Sequence, residues 1–406
     1  MSKQNLNFYV GSWGNGETRG EGEGVYACRL NLDNGEMTLI NTLEVKDPSV
    51  LAISKDNKYL YATNEQQNFG GGYYNAGGGV TSMKIEEDGS VSLLDQTYSM
   101  GSIPAYLSVD NTGKYVCVAN HGSFQIASRY VEKEDRQFVC ERVHDDSNFA
   151  LFKIQPDGTV VPRDIYHLDT IGSWHTYKDN EAAVKRDFPG KHFATKMRLQ
   201  GRPNAHFIAF KDNGIGVACD RASDMIYLFR INQETDRYEK IFEYHTLPAT
   251  APRHAAFHPT LPLFYTTNEM EASVSVYRFN DDYTSFEEVQ RIRNIDEDIT
   301  STNGPTDIHI HPSGKYLYCA SIFTNILAIY SVDQQTGLLS IVEMYHIGKP
   351  LPRGFGIDPT GKYLLIANMN SNSIDSFLIK EDGRLELCSS IEVKTPTSIC
   401  FENIVD

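Results

Sequence analysis

Tryptophan, basic side chains and long apolar runs are all scarce in this sequence. The 406-residue chain has two Trp, and its 37 Lys and Arg face 53 Asp and Glu, which gives a formal net charge of −16. Because phosphate backbones are bound by basic surfaces, this balance disfavours nucleic acid as a partner. No apolar run approaches the roughly 18 residues that span a bilayer, and residues 1–9 lack the apolar stretch of a signal peptide. We therefore expect neither nucleic acid nor membrane as a partner.

Paired cysteines are missing as well. The seven cysteines are an odd number, lie far apart and include no Cys-x-x-Cys motif. This pattern is typical of reduced thiols rather than of a disulfide framework. The sequence accordingly predicts a cytoplasmic protein. Its hydrophobic fraction of 40% is ordinary for a globular chain and excludes a disordered one.

One phrase recurs along the chain. It consists of a Pro-led apolar segment, a turn, and an aromatic-rich segment that ends in Asn or another small polar residue. Six copies span residues 48–64, 104–120, 203–220, 252–268, 305–321 and 352–368. A seventh is divided between the chain ends, with residues 394–401 as its first strand and residues 7–12 as its second. Five of the six intervals between successive Pro residues measure 44 to 56 residues, close to the period of propeller blades.

The repeat also indicates how many strands each unit holds. A third apolar segment follows every copy, and tight turns such as Asn34-Gly35 and Asp88-Gly89 lead to a fourth in most. These features predict an all-β, seven-bladed β-propeller of four-stranded blades, closed by the N- and C-terminal strands in one blade. Residues 1–406 would then form a single domain. The remaining interval, of 99 residues, predicts an insertion near 121–202.

Unusual polar side chains fall where these strand pairs start and finish. Since the first strand of an antiparallel hairpin starts where the second one ends, these positions should surround one mouth of the central channel. Near the Pro residues they are Asn204, His206, Arg253, His254, Asp307 and Arg353. At the ends of the second strands they are Glu65 and Glu269. An imidazole beside a carboxylate can transfer protons, and guanidinium groups hold carboxylate or phosphate oxygens. Ion pairs between blades would explain each residue singly, but their joint placement favours a functional site.

Several of these phrases, in this order, carry a family resemblance. They are Tyr9-Val-Gly-Ser12, Asn64-Glu65, Pro203-Asn-Ala-His206, Pro252-Arg-His254, Asn268-Glu269 and Pro352-Arg-Gly-Phe355. Over nearly the whole chain, the sequence resembles the lactonase family of seven-bladed propellers, which includes cycloisomerase-type 6-phosphogluconolactonases and fungal carboxymuconate cyclases. The resemblance implies a catalytic set at His206, Arg253, Glu269 and Arg353. Many bacterial members have His-Ala-His where this chain has Asn204-Ala205-His206, so any role of the first imidazole is absent here.

The leading hypothesis is a lactonase that hydrolyses a sugar lactone, with 6-phosphogluconolactone as the first candidate. Glu269 or His206 would activate water, and Arg253 and Arg353 would hold the ring carboxyl oxygens or a phosphate. Further substrate contacts are expected from Asn204, His254, Glu65 and Arg198. General base catalysis and a cationic oxyanion site suffice for a strained lactone, so neither a metal nor a cofactor is expected.

Two alternatives stay open. A carboxy-cis,cis-muconate cycloisomerase would use the same residues, with both Arg on substrate carboxylates, and a non-catalytic propeller would only bind a ligand at its rim. His309 and His311 share a strand face but have no third ligand nearby, which argues against a metal site. Residues 185–202 carry a local charge of +5 and lead towards His206. They are interpreted either as a collar that attracts a small anionic substrate or as a solvated basic loop.

Overall fold

The computed structural model describes residues 4–14, 20–71, 77–123, 126–132, 137–144, 147–168, 203–296 and 304–404. These residues form 30 β-strands, arranged as seven four-stranded antiparallel sheets and one two-stranded sheet. Helical structure in the same ranges is confined to two 3-10 turns, Phe69–Gly71 and Met369–Ser371. No helix in this part of the chain is long and apolar enough to cross a membrane. The all-β, seven-bladed prediction is confirmed.

The blades are numbered from the N-terminus. Blade 1 contains β1 (Asn5–Ser12), β2 (Gly24–Asn31), β3 (Met37–Glu44) and β30 (Pro396–Phe401). Blade 2 contains β4 (Pro48–Ile53), β5 (Tyr59–Asn64), β6 (Gly79–Ile85) and β7 (Val91–Tyr98). Blade 3 contains β8 (Pro104–Val109), β9 (Tyr115–Asn120), β12 (Asn148–Ile154) and β13 (Val160–His167). Blade 4 contains β14 (Ala205–Phe210), β15 (Gly216–Asp220), β16 (Met225–Asn232) and β17 (Arg237–His245). Blade 5 contains β18 (Pro252–Phe257), β19 (Leu263–Asn268), β20 (Ser273–Phe279) and β21 (Phe286–Arg293). Blade 6 contains β22 (Pro305–Ile310), β23 (Tyr316–Ser321), β24 (Ile326–Val332) and β25 (Leu339–His346). Blade 7 contains β26 (Pro352–Ile357), β27 (Tyr363–Asn368), β28 (Ser373–Ile379) and β29 (Leu385–Glu392).

Blade 1 joins the two ends of the chain. Strand β1 lies between β2 and β30, and Tyr9 of β1 is paired with Cys400 of β30. The backbone N–H of Asn7 also donates to the Glu402 carboxylate at 2.9 Å. This pairing confirms the predicted closure, and it covers sheet edges that would otherwise be exposed.

The hydrophobic core consists of layers between blades. Among the described residues, buried apolar side chains form seven clusters, one for each pair of neighbouring blades. The cluster between blades 7 and 1 contains Phe8 and Tyr363, so the last interface is packed like the others. Cys117, Cys219 and Cys319 are completely buried in these layers, as their second-strand positions predict. Because each sheet is covered on both faces, its middle strands are buried almost throughout, and apolar burial stabilises the whole ring.

The tight turns between third and fourth strands follow the predicted glycine positions. Gly35, Gly89, Gly158 and Gly383 all have φ between 76° and 88°, a conformation that favours glycine. At Gly158 the requirement is also steric, because a Cβ there would lie 2.2 Å from the ring of Tyr59 in the neighbouring blade.

The 121–202 interval contains both extra and regular structure. A hairpin of β10 (Ile126–Glu132) and β11 (Phe138–His144) is inserted between the second and third strands of blade 3. Strands β12 and β13 then complete that blade. Residues 169–202, which include Arg198 and the basic stretch 185–202, lie outside the described residues.

Candidate active site

Seven equivalent backbone hydrogen bonds define one end of the ring. In each blade, the residue that follows the second strand donates its N–H to the carbonyl of the residue that precedes the first strand, at 2.9 to 3.1 Å. The donors surround the mouth of the channel and are called here the strand-end ring. Its members are Trp13, Glu65, His121, Arg221, Glu269, Ile322 and Met369.

A second ring follows from strand register. In six blades the last residue of the second strand is paired with a Pro, but in blade 4 Asp220 is paired with Ala205 rather than with Pro203. The sequence alignment of blade 4 on Pro203 was therefore wrong by two residues. The reason is local, because the Ala205 N–H donates to Ser147 Oγ at 2.8 Å, and proline has no N–H to donate. The residues that follow these positions form the strand-start ring: Ser49, Ala105, His206, Arg253, Thr306, Arg353 and Thr397.

The two rings together line a pocket of about 260 Å³. Five residues singled out from the sequence meet in it, namely Glu65, His206, Arg253, Glu269 and Arg353. Trp13, His121, Arg221 and Thr306 also line it, and the sequence analysis missed these four. Their signal was the strand-end and strand-start positions themselves, since each directly follows a residue of the recurring phrase. Of the other proposed substrate contacts, Asn204 and His254 do not line this pocket, and Arg198 is not described.

Glu269 lies between two guanidinium groups. Its Oε2 is 3.0 Å from Nη1 of Arg221 and 3.3 Å from Nε of Arg253. All three side chains are largely buried. The contact with Arg221 is a charge-assisted hydrogen bond and the contact with Arg253 is an ion pair, so Glu269 holds both guanidinium groups at the pocket wall.

Arg353 is held differently. Its guanidinium carbon lies 4.6 Å from the centre of the Trp13 ring, in a cation–π contact, and its Nη2 is 3.9 Å from Oε2 of Glu65. The same Glu65 oxygen accepts a hydrogen bond from Trp13 Nε1 at 3.0 Å. A guanidinium carries five donors, more than this ion pair uses, so Arg353 can bind an anion in the pocket.

His121 extends the network on the opposite wall. Its Nδ1 is 2.8 Å from the carbonyl of Gly122, and its Nε2 is 2.8 Å from Nη2 of Arg221. Since a carbonyl oxygen and a guanidinium require a donor and an acceptor respectively, the imidazole is neutral with its proton on Nδ1. His121, Arg221, Glu269 and Arg253 are therefore joined in one continuous chain, by hydrogen bonds as far as Glu269 and by an ion pair between Glu269 and Arg253.

His206 provides an imidazole that can act as a base in the pocket. It is 4% exposed, and its Nδ1 has no hydrogen-bond partner among the described residues. Burial, followed by the charges of Arg253 and neighbouring groups, holds the pKa of His206 well below its usual value. The imidazole is consequently neutral at physiological pH and able to accept a proton.

Asn204 lies behind the pocket wall. Its side chain donates to the carbonyls of His121 and Pro203, and its backbone N–H donates to Oδ1 of Asp220 at 2.7 Å. Asp220 is fully buried, and burial raises its pKa to about 6 in spite of backbone N–H donors that lower it. In this structure, Asn204 connects the backbone that follows β9 in blade 3 with the end of β15 in blade 4.

His254 faces the central channel. With Asp307 and His309 it lines a cavity of about 400 Å³, which shares Arg253 and Arg353 with the pocket. Nδ1 of His254 is 3.1 Å from Oδ1 of Asp307, and Nε2 of His309 is 3.2 Å from Oδ2. Burial and Arg253 lower the pKa of His254 to about 4, so this imidazole is neutral. Nowhere in the described ranges do three His, Cys, Asp or Glu side chains converge as metal ligands.

The charge of the pocket is unbalanced. Its described lining contains three guanidinium groups, those of Arg221, Arg253 and Arg353, against the two carboxylates of Glu65 and Glu269. Burial and the nearby charge of Arg353 lower the pKa of Arg253 to about 9, which leaves it a cation at neutral pH. An excess of one positive charge in a protein of net charge −16 makes the pocket suited to a small anion.

Comparisons with known proteins identify relatives over the whole chain. The profile of the family described as "Lactonase, 7-bladed beta-propeller" matches residues 7–137 and 123–401. The 6-phosphogluconolactonase of Bacillus subtilis is 25% identical over 400 residues, which cover 97% of each chain, and that of Formosa agariphila is 24% identical, covering 90% of this chain and 91% of its own. The solved structure of the periplasmic gluconolactonase of Pseudomonas aeruginosa superposes with a TM-score of 0.78 at 21% identity, over 99% of this chain and all of the other. That last likeness concerns the fold.

Proposed function

Because the chain belongs to the family of seven-bladed β-propeller lactonases, we propose that it hydrolyses a sugar lactone that bears an anionic group. The first substrate to test is 6-phosphogluconolactone, which would yield 6-phosphogluconate, since curated relatives of matching length carry the name of that activity. The observation that carries the proposal is the pocket itself. A neutral imidazole, His206, shares it with three guanidinium groups and only two carboxylates.

The anionic group would bind first. Arg353 is stacked on Trp13 and presents a planar fork that suits a phosphate or carboxylate. Binding an anion there relieves the mutual repulsion of the guanidinium groups. It also offsets part of the positive charge that lowers the pKa of His206, so the bound substrate itself makes the base stronger.

Hydrolysis would then proceed in two proton transfers. His206 takes a proton from water as the water oxygen attacks the lactone carbonyl carbon, and the carbonyl oxygen becomes an oxyanion. Arg253, fixed by Glu269 and by the carbonyl of Thr306, stabilises that oxyanion. The ring C–O bond then breaks, and the protonated His206 returns its proton to the departing ring oxygen. The product is the hydroxy acid, and the imidazole is neutral again.

In this scheme Glu269 is a positioning residue. Its Oε2 is already shared between Arg221 and Arg253, so the proton-accepting role falls to His206. Glu269→Gln would remove one negative charge and loosen both guanidinium groups. We therefore expect a lower kcat without loss of the His206-dependent limb of the pH profile.

Acid release from freshly prepared 6-phosphogluconolactone tests the proposal. The purified protein should hydrolyse the lactone well above the spontaneous rate, and His206→Gln should lower kcat by about 100-fold or more, the range typical of general base catalysis. His346→Gln is the matched control, because His346 is an exposed histidine of blade 6 outside the pocket lining. A hydrolysis rate equal to the spontaneous one, with this lactone and with unphosphorylated gluconolactone, would refute the proposal.

The same preparation discriminates the cycloisomerase alternative. Two guanidinium groups could equally hold the carboxylates of a muconate, and lactonisation would consume its diene. If diene absorbance is lost on addition of carboxymuconate and sugar lactones are not hydrolysed, the same residues would be assigned to the cycloisomerase reaction.

A further inference from the structure

The cluster of His254, Asp307 and His309 in the channel has no part in the scheme above. It lies directly below the pocket and reaches Arg253, because His254 Nε2 is 3.4 Å from Nη1 of that residue. Asp307 is the centre of the cluster and contacts both histidines.

His254 is held in one tautomer by Asp307. The Asp307 carboxylate accepts a hydrogen bond, so the Nδ1 that faces it must carry the proton. A neutral imidazole then has a lone pair on Nε2, and this lone pair faces the guanidinium of Arg253. Without Asp307, the proton could move to Nε2, which would point a donor at a donor. Asp307 therefore supplies Arg253 with an acceptor through His254.

Asp307 also lies between the strands that carry the two guanidinium groups. Thr306, the neighbour of Asp307 on β22, accepts a hydrogen bond from Arg253 Nη1 through its carbonyl. The Oδ2 of Asp307 accepts the backbone N–H of Phe355 at 3.1 Å, on the strand that carries Arg353 two residues earlier. One side chain thus connects blade 5, which carries Arg253, with blade 7, which carries Arg353.

We propose that Asp307 is a positioning residue that sets the placement of the Arg253 and Arg353 guanidinium groups towards each other. This role rests on the proposed function, because the two groups would hold the oxyanion and the anionic substituent of one substrate. Their separation then determines whether the carbonyl lies within reach of Arg253 once the substituent is bound. A displacement of about 1 Å at such a site lowers rates by up to about 100-fold.

Four variants test the assignment. Asp307→Asn removes the charge and replaces one carboxylate oxygen with an NH₂ group, which would face N–H donors from which the oxygen now accepts hydrogen bonds, so kcat should fall by about 10- to 100-fold while KM changes less. His309→Gln is the matched control, since it removes the second imidazole and leaves the contacts of Asp307 with His254 and Phe355 in place. It should retain activity within about threefold. His254→Gln, whose side-chain oxygen can accept from Arg253, should retain more activity than His254→Leu.

A second readout is independent of turnover. In protein labelled with ¹⁵N-histidine, His254 should appear as the Nδ1–H tautomer, and Asp307→Asn should shift it towards Nε2–H. An unchanged tautomer in folded Asp307→Asn, or equal kcat losses in Asp307→Asn and His309→Gln, would overturn the assignment. If Asp307→Asn fails to fold, equal activity of His254→Gln and His254→Leu overturns it. If the wild-type protein has no lactonase activity, the proposed function fails, and the tautomer still decides whether Asp307 orients His254.

Discussion

The buried Asp220 in blade 4 should destabilise the protein at neutral pH. It occupies the last position of the second strand, where four other blades have Asn64, Asn120, Asn268 and Asn368. Its Oδ1 accepts backbone N–H groups of Asn204, Ala222 and Ser223, but Oδ2 has no hydrogen-bond partner among the described residues. Asp220→Asn keeps an oxygen for those donors and removes the charge. We expect this substitution to stabilise the fold.

The magnitude follows from the pKa of Asp220, which burial raises from 3.8 to about 6. Between these values the unfolded chain releases its proton while the folded chain keeps it, so wild-type stability falls as pH rises through this window. Above pH 6 the loss is constant, and at about 1.4 kcal/mol per pKa unit it amounts to about 3 kcal/mol. Asp220→Asn removes this term. Its advantage should therefore be about 3 kcal/mol at pH 7.5 and less than about 1 kcal/mol at pH 4.

Equilibrium urea unfolding, followed by circular dichroism at both pH values, measures this difference. Asp212→Asn is the matched control, because Asp212 is an exposed carboxylate in the turn that joins the same two strands. It should change the free energy of unfolding by less than about 0.5 kcal/mol at either pH. A gain for Asp220→Asn that is the same at pH 4 and pH 7.5, or a loss at pH 7.5, would refute the reasoning.

Three further predictions concern the rings. Because burial and neighbouring Arg charges hold the pKa of His206 well below 6.5, kcat/KM for the lactone should stay constant as pH falls through 6.5. The acid limb of kcat should lie at higher pH than that of kcat/KM, since the bound anion offsets those charges in the enzyme–substrate complex. A kcat/KM midpoint at or above pH 6.5 would contradict this. Arg353→Ala should raise KM for an anionic lactone by about 10- to 100-fold, the value of a charge-assisted hydrogen bond, whereas Glu65→Gln should lower it by removing a competing carboxylate from Arg353; steady-state kinetics with phosphorylated and unphosphorylated lactones check both signs. Ala205→Pro restores the proline of the other blades but removes the N–H that donates to Ser147, and it should destabilise the protein by about 1 to 3 kcal/mol in urea unfolding; a stability gain would show that this bond is dispensable.

The fold was predictable because its signals are repeated. A Pro start, a glycine turn and a polar strand end recur in nearly every blade, so a weak local pattern is confirmed several times along the chain. Closure by the chain ends also followed from the repeat, since residues 7–12 and 394–401 complete one copy between them. The hairpin of β10 and β11 did not, because nothing in residues 126–144 repeats elsewhere.

The site was only partly predictable, and the misses have physical causes. Glu65 and Glu269 were recognised because a charged residue after a strand end is unusual. His121 and Arg221 occupy the equivalent positions of blades 3 and 4, but the sequence did not single them out. In blade 4 the recurring phrase predicts a strand start at Pro203, whereas the strand starts at Ala205, so Asn204 was expected in the pocket although it lies behind it. Side-chain partners are a further limit, since the pairing of Glu269 with two guanidinium groups depends on distances between blades.

The two rings also explain how a regular fold holds an irregular site. The seven hydrogen bonds that define the strand-end ring join backbone N–H groups to backbone carbonyls, so no side chain is needed to make them. Each ring position is therefore structurally fixed while its side chain is free to vary, and chemistry can be placed at any blade without loss of closure. In this chain Ser49, Thr397 and Met369 do not line the pocket, but their blades still contribute Glu65, Trp13 and Arg353 from the other ring. Asp307 differs from these backbone contacts, because its side chain joins blade 5, which carries Arg253, to blade 7, which carries Arg353.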